Sequence, residues 1–151
     1  MKGVILAGGM GTRLRPVTLE IPKPLLTVRK KPIINHLIEL LERYGISEIA
    51  VLVAREHEND FDRWKKHWWH ELPGVKISIF FEEKPRGTFG GMEIVRDWLG
   101  GENFILTNGD ELKDFNLKEL IDFHRRNMPA ATIALVRVPN PSEYGVPVLD
   151  R

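Results

Sequence analysis

The sequence predicts an α/β fold with a mostly parallel central sheet in a Rossmann-like three-layer sandwich. Short apolar runs alternate with stretches of helical periodicity along the chain, which is the pattern of strands joined by crossover helices. The chain has 151 residues, of which 42% are hydrophobic and 28% charged, a composition typical of a globular domain with a substantial core. We therefore expect one domain over residues 1–151.

The strands are predicted from apolar runs that end at glycine, proline or polar residues. They are residues 3–7, 49–54, 75–81, 104–107 and a longer one at 131–138. The helices are predicted from apolar residues that recur every three or four positions. The first begins at Pro32 and ends at Gly45, and the second covers residues 57–70. The third runs from an N-cap at Thr88 to Leu99, and the fourth covers residues 117–127.

The turn after the first strand, residues 8–16, has the sequence GGMGTRLRP. Glycines let backbone N–H groups approach an anion without a Cβ in the way. Arg13 and, a few residues on, Lys23 supply the positive charge that phosphate oxygens need. The dinucleotide-binding fingerprint fails because Leu14 stands where its third glycine belongs, which disfavours a redox Rossmann domain. The turn therefore predicts a phosphate-binding loop.

Charge is unevenly distributed along the chain. Residues 1–31 carry a net charge of +6, against −5 for the remainder of a chain whose total is +1. A basic segment on a glycine loop suits a polyphosphate ligand. Nucleic acid is not an expected partner, because the basic segment has no interleaved aromatic residues. No membrane-spanning stretch is present, and the absence of cysteine suits a cytoplasmic protein.

Several motifs resemble the sugar-1-phosphate nucleotidyltransferases, the enzymes that make nucleotide sugars. The segment GGMGTRLRPVT followed by PKPLLTV at residues 22–28 is similar to their signature GGxGTRLxPLT and PKPLLxV, with Val17 for the usual Leu. Further similar segments are GISEI at 45–49, EEKPRGTFG at 82–90, NGD at 108–110 and NPSEYGV at 140–146. The resemblance covers nearly the whole chain and implies the nucleotide-diphospho-sugar transferase type of fold.

The resemblance implies a reaction in which a sugar 1-phosphate attacks the α-phosphorus of an NTP and releases pyrophosphate. Asp110 would hold Mg²⁺ at the carboxyl edge of the sheet, although Asn-Gly followed by an acid is also a common turn. Arg13 would stabilise the β- and γ-phosphates, and Lys23 would bridge the α-phosphate and the sugar phosphate. These three residues are the expected catalytic groups.

The nucleotide is expected to lie between the glycine loop and the segment 82–91. On the loop side, the expected contacts are Leu6, Ala7, Gly8, Gly9, Gly11 and Thr12. On the other side, Glu82 or Glu83 would accept a hydrogen bond from the base, with Pro85, Gly87 and Thr88 shaping the wall. An acceptor favours guanine over uracil or thymine, and the segment resembles the guanylyltransferase branch. The expected substrates are therefore GTP and mannose 1-phosphate.

Two expectations concern the remainder of the chain. The Trp- and His-rich stretch 64–70 is interpreted as an amphipathic helix with its aromatic side chains packed on the sheet. The family carries a further sugar-binding part after the YGV stretch, and this chain stops at Arg151, before it. The alternative function is therefore a catalytically silent nucleotide-binding or regulatory domain. An exposed sheet edge would also favour a homo-oligomer or a complementing chain.

Overall fold

The structure is a computed structural model that describes residues 1–9, 11, 14–84, 86–140, 142 and 144–148, with the side chains of all these except Leu19 and Thr88. The chain divides into two compact units, Met1–Asp114 and Phe115–Arg151. The single-domain expectation for residues 1–151 stays a prediction. No helix in the described ranges is long and apolar enough to cross a membrane.

The first unit is built on a parallel sheet. Its strands are β1 (Lys2–Leu6), β4 (Glu48–Ala54), β5 (Lys76–Glu82) and β6 (Phe104–Asn108), in the order β5-β4-β1-β6. Every neighbouring pair in this sheet is parallel. A small antiparallel ribbon, β2 (Thr27–Val28) with β3 (Lys31–Pro32), precedes the first helix. The predicted parallel sheet is thus confirmed for these four strands, with no strand end shifted by more than one residue.

The helices alternate with the strands. They are α1 (Ile33–Arg43), α2 (Glu58–Trp68), α3 (Gly87–Gly90), α4 (Arg96–Leu99) and α5 (Leu117–Asn127). The helix predicted at Pro32 begins one residue later, with Pro32 in the N-cap position. It ends as expected before Gly45, whose φ of 78° is a conformation that glycine adopts without strain.

Helices cover both faces of the sheet. On one face α1 lies very close to β1, since a Cβ on Gly3 would be only 3.0 Å from Leu41 Cδ1. Side chains alternate along a strand, so Val4 points to the other face. The core on that face consists of Val4, Ala50, Leu52, Met92, Val95 and Leu99. The arrangement is the predicted sandwich of helix, sheet and helix.

The predicted N-cap at Thr88 is wrong. The helix α3 begins at Gly87, Arg86 occupies the cap position without a side-chain cap bond, and Thr88 lies inside the helix. The predicted helix to Leu99 is also divided into α3, a 3₁₀ segment Gly91–Val95 and α4. Three glycines within five residues explain the division, because each lowers helix stability by about 1 kcal/mol relative to alanine.

The strand predicted at 131–138 is also wrong. The structure has no strand there, and the side chains of Ile133 and Val136 are 77% and 83% exposed. Their β-branched side chains favour a strand, but a strand forms only where a neighbour completes its hydrogen bonds. Within the second unit the regular element is α5, which buries Leu117 and Ile121.

Candidate functional site

The candidate site lies at the carboxyl edge of the parallel sheet. In the register, Leu6 at the end of β1 lies opposite Leu52 and Asn108. The Ala7 amide donates a hydrogen bond to Leu52 O at 2.7 Å, and the Gly109 amide donates one to Leu6 O at 2.8 Å. These bonds place the start of the glycine loop beside Asp110, as parallel-sheet topology predicts. The same two hydrogen bonds use the backbone carbonyl of Leu6 and the backbone amide of Ala7.

The glycine loop is closely packed where it leaves the sheet. A Cβ on Gly8 would be 3.4 Å from the Ala54 amide nitrogen, whereas Gly9 has no neighbour within 4 Å on its Cβ side. Gly11 has a φ of 57°, and a Cβ there would be 2.9 Å from Thr18 Cγ2. Gly9 is also exposed, so the loop offers backbone to a ligand at this residue. The predicted residues Thr12 and Arg13 lie outside the described residues.

Thr18 holds the far side of the loop. Its buried hydroxyl donates a hydrogen bond to Gly11 O at 2.7 Å, and Gly11 O also accepts one from the Leu14 amide at 3.0 Å. Thr18 has no predicted role in the sequence beyond its place in the signature. Its position in the signature was the only signal, because a side chain that bonds to a carbonyl seven residues away cannot be inferred from local periodicity.

Lys23 and Asp110 meet in the site, although 87 residues separate them in the chain. The Lys23 ammonium donates a hydrogen bond to Asp110 Oδ2 at 2.8 Å, and the two side chains are 29% and 37% exposed. Lys23 begins a short 3₁₀ helix, Lys23–Leu25, directly after Pro22. Asp110 follows β6 by two residues. The structure therefore brings together two of the predicted catalytic residues, within reach of solvent.

Asp110 fits a magnesium site in which the substrate supplies further ligands. Its Oδ2 already faces a cation, the Lys23 ammonium. Among the described residues no group of three or more His, Cys, Asp or Glu side chains could hold a metal by itself. Mg²⁺ commonly binds through one or two carboxylates, with water and substrate phosphates completing the octahedron. The donor set at Asp110 is of that kind.

Glu82, rather than Glu83, faces the glycine loop. A Cβ on Gly8 would be 3.5 Å from Glu82 Oε2, and one on Gly91 would be 3.4 Å from Glu82 Oε1. The Arg86 amide donates a hydrogen bond to Glu82 Oε1 at 3.0 Å. Glu82 Oε2 is the oxygen nearer to Gly8, so it is the one placed to accept from a ligand at the loop.

The other residues predicted for this wall are less fully described. Pro85 lies outside the described residues, and of Thr88 only the backbone, in α3, is described. Gly87 is exposed and has a φ of 75°, so it makes a turn that other residues would strain. Phe89 is 66% exposed, so it does not belong to the core.

Arg55 is a residue of the site edge that sequence reasoning missed. It follows β4 directly, and its guanidinium donates hydrogen bonds to Glu83 Oε1 at 2.8 Å and to Glu58 Oε1 at 3.1 Å. These carboxylates raise the pKa of Arg55, with the Glu83 hydrogen bond as the largest cause. The signal in the sequence was the position of Arg55 directly after β4, at the carboxyl edge of the sheet. The prediction for Asp110 rested on the same kind of position.

The Trp- and His-rich stretch is mainly structural. Trp64 is 3% exposed and donates from its indole nitrogen to Asn35 Oδ1 at 2.7 Å. Its ring also contacts Phe61, which is fully buried. The predicted helix is present as α2, but it ends at Trp68 and is followed by a 3₁₀ helix, Trp69–Glu71. Trp64 bonds to α1, and the predicted packing of the aromatic side chains on the sheet stays a prediction.

Comparisons with known proteins show the family of the chain. The family model described as nucleotidyl transferase matches residues 2–151. A mannose-1-phosphate guanyltransferase of Candida albicans is 42% identical over 100% of this chain, and one of Saccharomyces cerevisiae is 40% identical over 99%. This chain covers 42% of the length of each of those two proteins.

A solved structure gives the same result for the fold. The crystal structure of HddC from Yersinia pseudotuberculosis complexed with GMP-PN is 31% identical, with a TM-score of 0.70. The match covers 82% of this chain and 53% of that one. A similarity of this extent shows that the two chains share a fold over the matched part.

Proposed function

Because the chain belongs to the nucleotidyl transferase family, we propose that it forms the nucleotide-binding half of a mannose-1-phosphate guanylyltransferase. In the proposed reaction, a phosphate oxygen of mannose 1-phosphate forms a bond to the α-phosphorus of GTP. The bond from that phosphorus to the α–β bridging oxygen breaks, and the products are GDP-mannose and pyrophosphate. The names of the relatives support this pair of substrates.

The ion pair of Lys23 with Asp110 beside the glycine loop is the observation that carries the proposal. Both substrates are anions, so the site must reduce their repulsion and neutralise charge on the departing pyrophosphate. The sugar phosphate is already ionised and needs no strong base. Positioning and positive charge are therefore the main requirements. The Lys23 ammonium, placed between the α-phosphate and the sugar phosphate, would supply both.

Asp110 would hold Mg²⁺, which when bound supplies a template and a charge sink for the phosphates. Backbone groups of Gly8, Gly9 and Gly11 would bind the phosphates of GTP, in a loop that Thr18 keeps closed through Gly11 O. Arg13, as the family resemblance implies, would add charge at the β- and γ-phosphates. In these roles the cationic side chains of Lys23 and Arg13 would contact phosphate, and the Asp110 carboxylate would hold the metal.

The base preference rests on Glu82. A carboxylate accepts hydrogen bonds and cannot donate them when ionised. Guanine presents two donors on one edge, its N1–H and its 2-amino group, whereas the corresponding carbonyls of uracil and thymine are acceptors. The position of Glu82 beside Gly8 and Gly91 therefore supports guanine.

The second candidate is a domain that binds the nucleotide but does not catalyse the transfer reaction by itself. It is favoured by one observation, which is that the chain spans 42% of the length of the relatives named above. In the resemblance described above, the sugar ring is bound by the part that follows the YGV stretch.

The test is pyrophosphate release from the 151-residue chain with Mg²⁺, each NTP and a panel of sugar 1-phosphates. The key variant is Asp110→Asn, and the matched control is Asp122→Asn, which removes an aspartate that is also paired with a lysine. Release with GTP and mannose 1-phosphate in the wild type and the control, but not in Asp110→Asn, is the expected result.

Two other outcomes have different meanings. Binding of GTP without release for any sugar would support the silent nucleotide-binding domain. Failure of the wild type to bind any NTP in the presence of Mg²⁺ would contradict both candidates.

A further inference from the structure

Arg55 ties the ends of two strands together next to the base-side wall. Its guanidinium approaches Glu83 Oε1 through Nε at 2.8 Å and through a terminal nitrogen at 2.7 Å. It also lies over the ring of Phe81, with 4.5 Å from Cζ to the ring centroid. A third contact, to Glu58, reaches the first turn of α2. One side chain thus contacts β5, the residue after β5, and α2.

The two contacts of Arg55 at the end of β5 lie on one side of the chain. Successive side chains of a strand point to opposite faces, so Phe81 and Glu82 point to opposite faces of β5. Glu83, the residue after β5, is held on the Phe81 side by Arg55. Arg55 contacts both residues on the first face. Glu82, on the second face, lies beside Gly8 and Gly91.

From this arrangement we propose that Arg55 is a positioning residue that selects Glu82, and not Glu83, as the carboxylate that faces the guanine base. The inference rests on the proposed function, because it assigns a determinant of base specificity to the same site. Arg55 holds Glu83 on the far face, and that contact fixes the direction of the chain through Glu82. It also neutralises the charge of the Glu83 carboxylate.

The two effects of Arg55 can be separated by choosing the right nucleotides. Inosine triphosphate lacks the 2-amino group of guanine but has the same triphosphate, so the ratio of the dissociation constants of ITP and GTP measures how well Glu82 receives that amino group. Loss of neutralisation alone would weaken both nucleotides equally. Loss of positioning would lower the ratio.

The experiment measures GTP and ITP binding to the 151-residue chain by calorimetry in the presence of Mg²⁺. In the wild type we expect GTP to bind about ten-fold more tightly than ITP, the effect of one hydrogen bond to a charged acceptor. Arg55→Gln is expected to reduce this ratio to about two-fold and to weaken both nucleotides. In Arg55→Gln/Glu83→Gln, which removes both charges, the affinity for both nucleotides should recover but the low ratio should remain.

Two further variants complete the design. The exchanged pair Arg55→Glu/Glu83→Arg, which restores an ion pair with the charges reversed, should recover part of the ratio. Lys31→Gln is the matched control, because it breaks a different partly exposed ion pair, with Glu39, and should leave the ratio unchanged.

A ratio in Arg55→Gln equal to that of the wild type would overturn the inference and leave the proposed function intact. A wild type that binds GTP and ITP equally would also overturn it, because Glu82 would then not receive the 2-amino group. A wild type that binds neither nucleotide would contradict the proposed function itself.

Discussion

At the scale of single residues, the proposed function would make Lys23 and a metal ion compete for the same oxygen of Asp110. The Lys23 ammonium lies 2.8 Å from Asp110 Oδ2, where a divalent cation would bind. Under the proposed function, the phosphates of GTP would offer Lys23 a stronger partner than a single carboxylate. Asp110 would then be free to hold the metal that accompanies the nucleotide. On that proposal the pair would favour the binding of metal and nucleotide together over metal alone.

This competition predicts that removing the Lys23 charge strengthens metal binding in the absence of nucleotide. In Lys23→Met we expect Mn²⁺, used as a spectroscopic substitute for Mg²⁺, to bind about ten-fold more tightly, because an opposing contact of about 1.4 kcal/mol is lost. The measurement is a titration of free Mn²⁺ followed by electron paramagnetic resonance. Lys31→Met, which removes the partner of Glu39, should bind Mn²⁺ as the wild type does. Equal or weaker Mn²⁺ binding in Lys23→Met would contradict the competition.

The choice between Glu82 and Glu83 shows what residue-level sequence reasoning leaves open. Both are carboxylates at the end of an apolar run, and the run alone does not say which of them faces the glycine loop. That depends on contacts between elements, namely the pairing of Ala54 with Glu82 and the hydrogen bond from Arg55 to Glu83. Asp110 was predictable by contrast, because the carboxyl edge of a parallel sheet is fixed by topology.

At the scale of elements, the buried strands were predictable and the two wrong elements had a common cause. Strands β1 and β4 have apolar runs that match burial on both faces, and the apolar runs of β5 and β6 form the two half-buried outer strands. Residues 131–138 have a similar run but pair with no strand in the described part of the chain. Thr88 has the right side chain for a cap but lies inside a helix that begins at Gly87. In both places local preference was correct for the residue and tertiary context decided otherwise.

The packing of α1 on α2 depends on one buried polar contact. Asn35 is fully buried, and its Oδ1 accepts the indole N–H of Trp64 at 2.7 Å. We expect Asn35→Leu to lower the free energy of unfolding by about 1–3 kcal/mol, because it leaves the indole N–H buried without an acceptor. The measurement is urea denaturation followed by tryptophan fluorescence and circular dichroism.

A double-mutant cycle separates this contact from simple packing. Trp64→Phe removes the donor, so Asn35→Leu in that background should cost about 1 kcal/mol less than in the wild type. Equal costs in the two backgrounds would show that the hydrogen bond contributes nothing to the stability of this unit.

At the scale of the whole molecule, the predicted site residues that are described lie in the first unit, Met1–Asp114, and the second unit carries exposed apolar side chains. The sequence predicted the first arrangement, because the signature and the strand ends are local features that topology brings together. The sequence did not predict the exposed apolar side chains, because exposure depends on which surfaces contact residues 128–148. The most exposed apolar side chains there are Met128, Ile133, Val136 and Val148.

This exposed segment predicts that the 151-residue chain self-associates. Apolar side chains such as Ile133 and Val136, 77% and 83% exposed, gain about 25 cal/mol for each Å² removed from water, so contact between copies is favourable. In sedimentation velocity we expect the weight-average sedimentation coefficient to rise with protein concentration. Ile133→Lys/Val136→Lys should abolish that rise without lowering the free energy of unfolding, since neither side chain is buried.

The control Lys65→Ala/Lys66→Ala, which changes exposed residues of α2 in the first unit, should still associate. A wild type that stays monomeric at every concentration would show that these side chains do not drive association, and would leave the nucleotide site to work in a single copy.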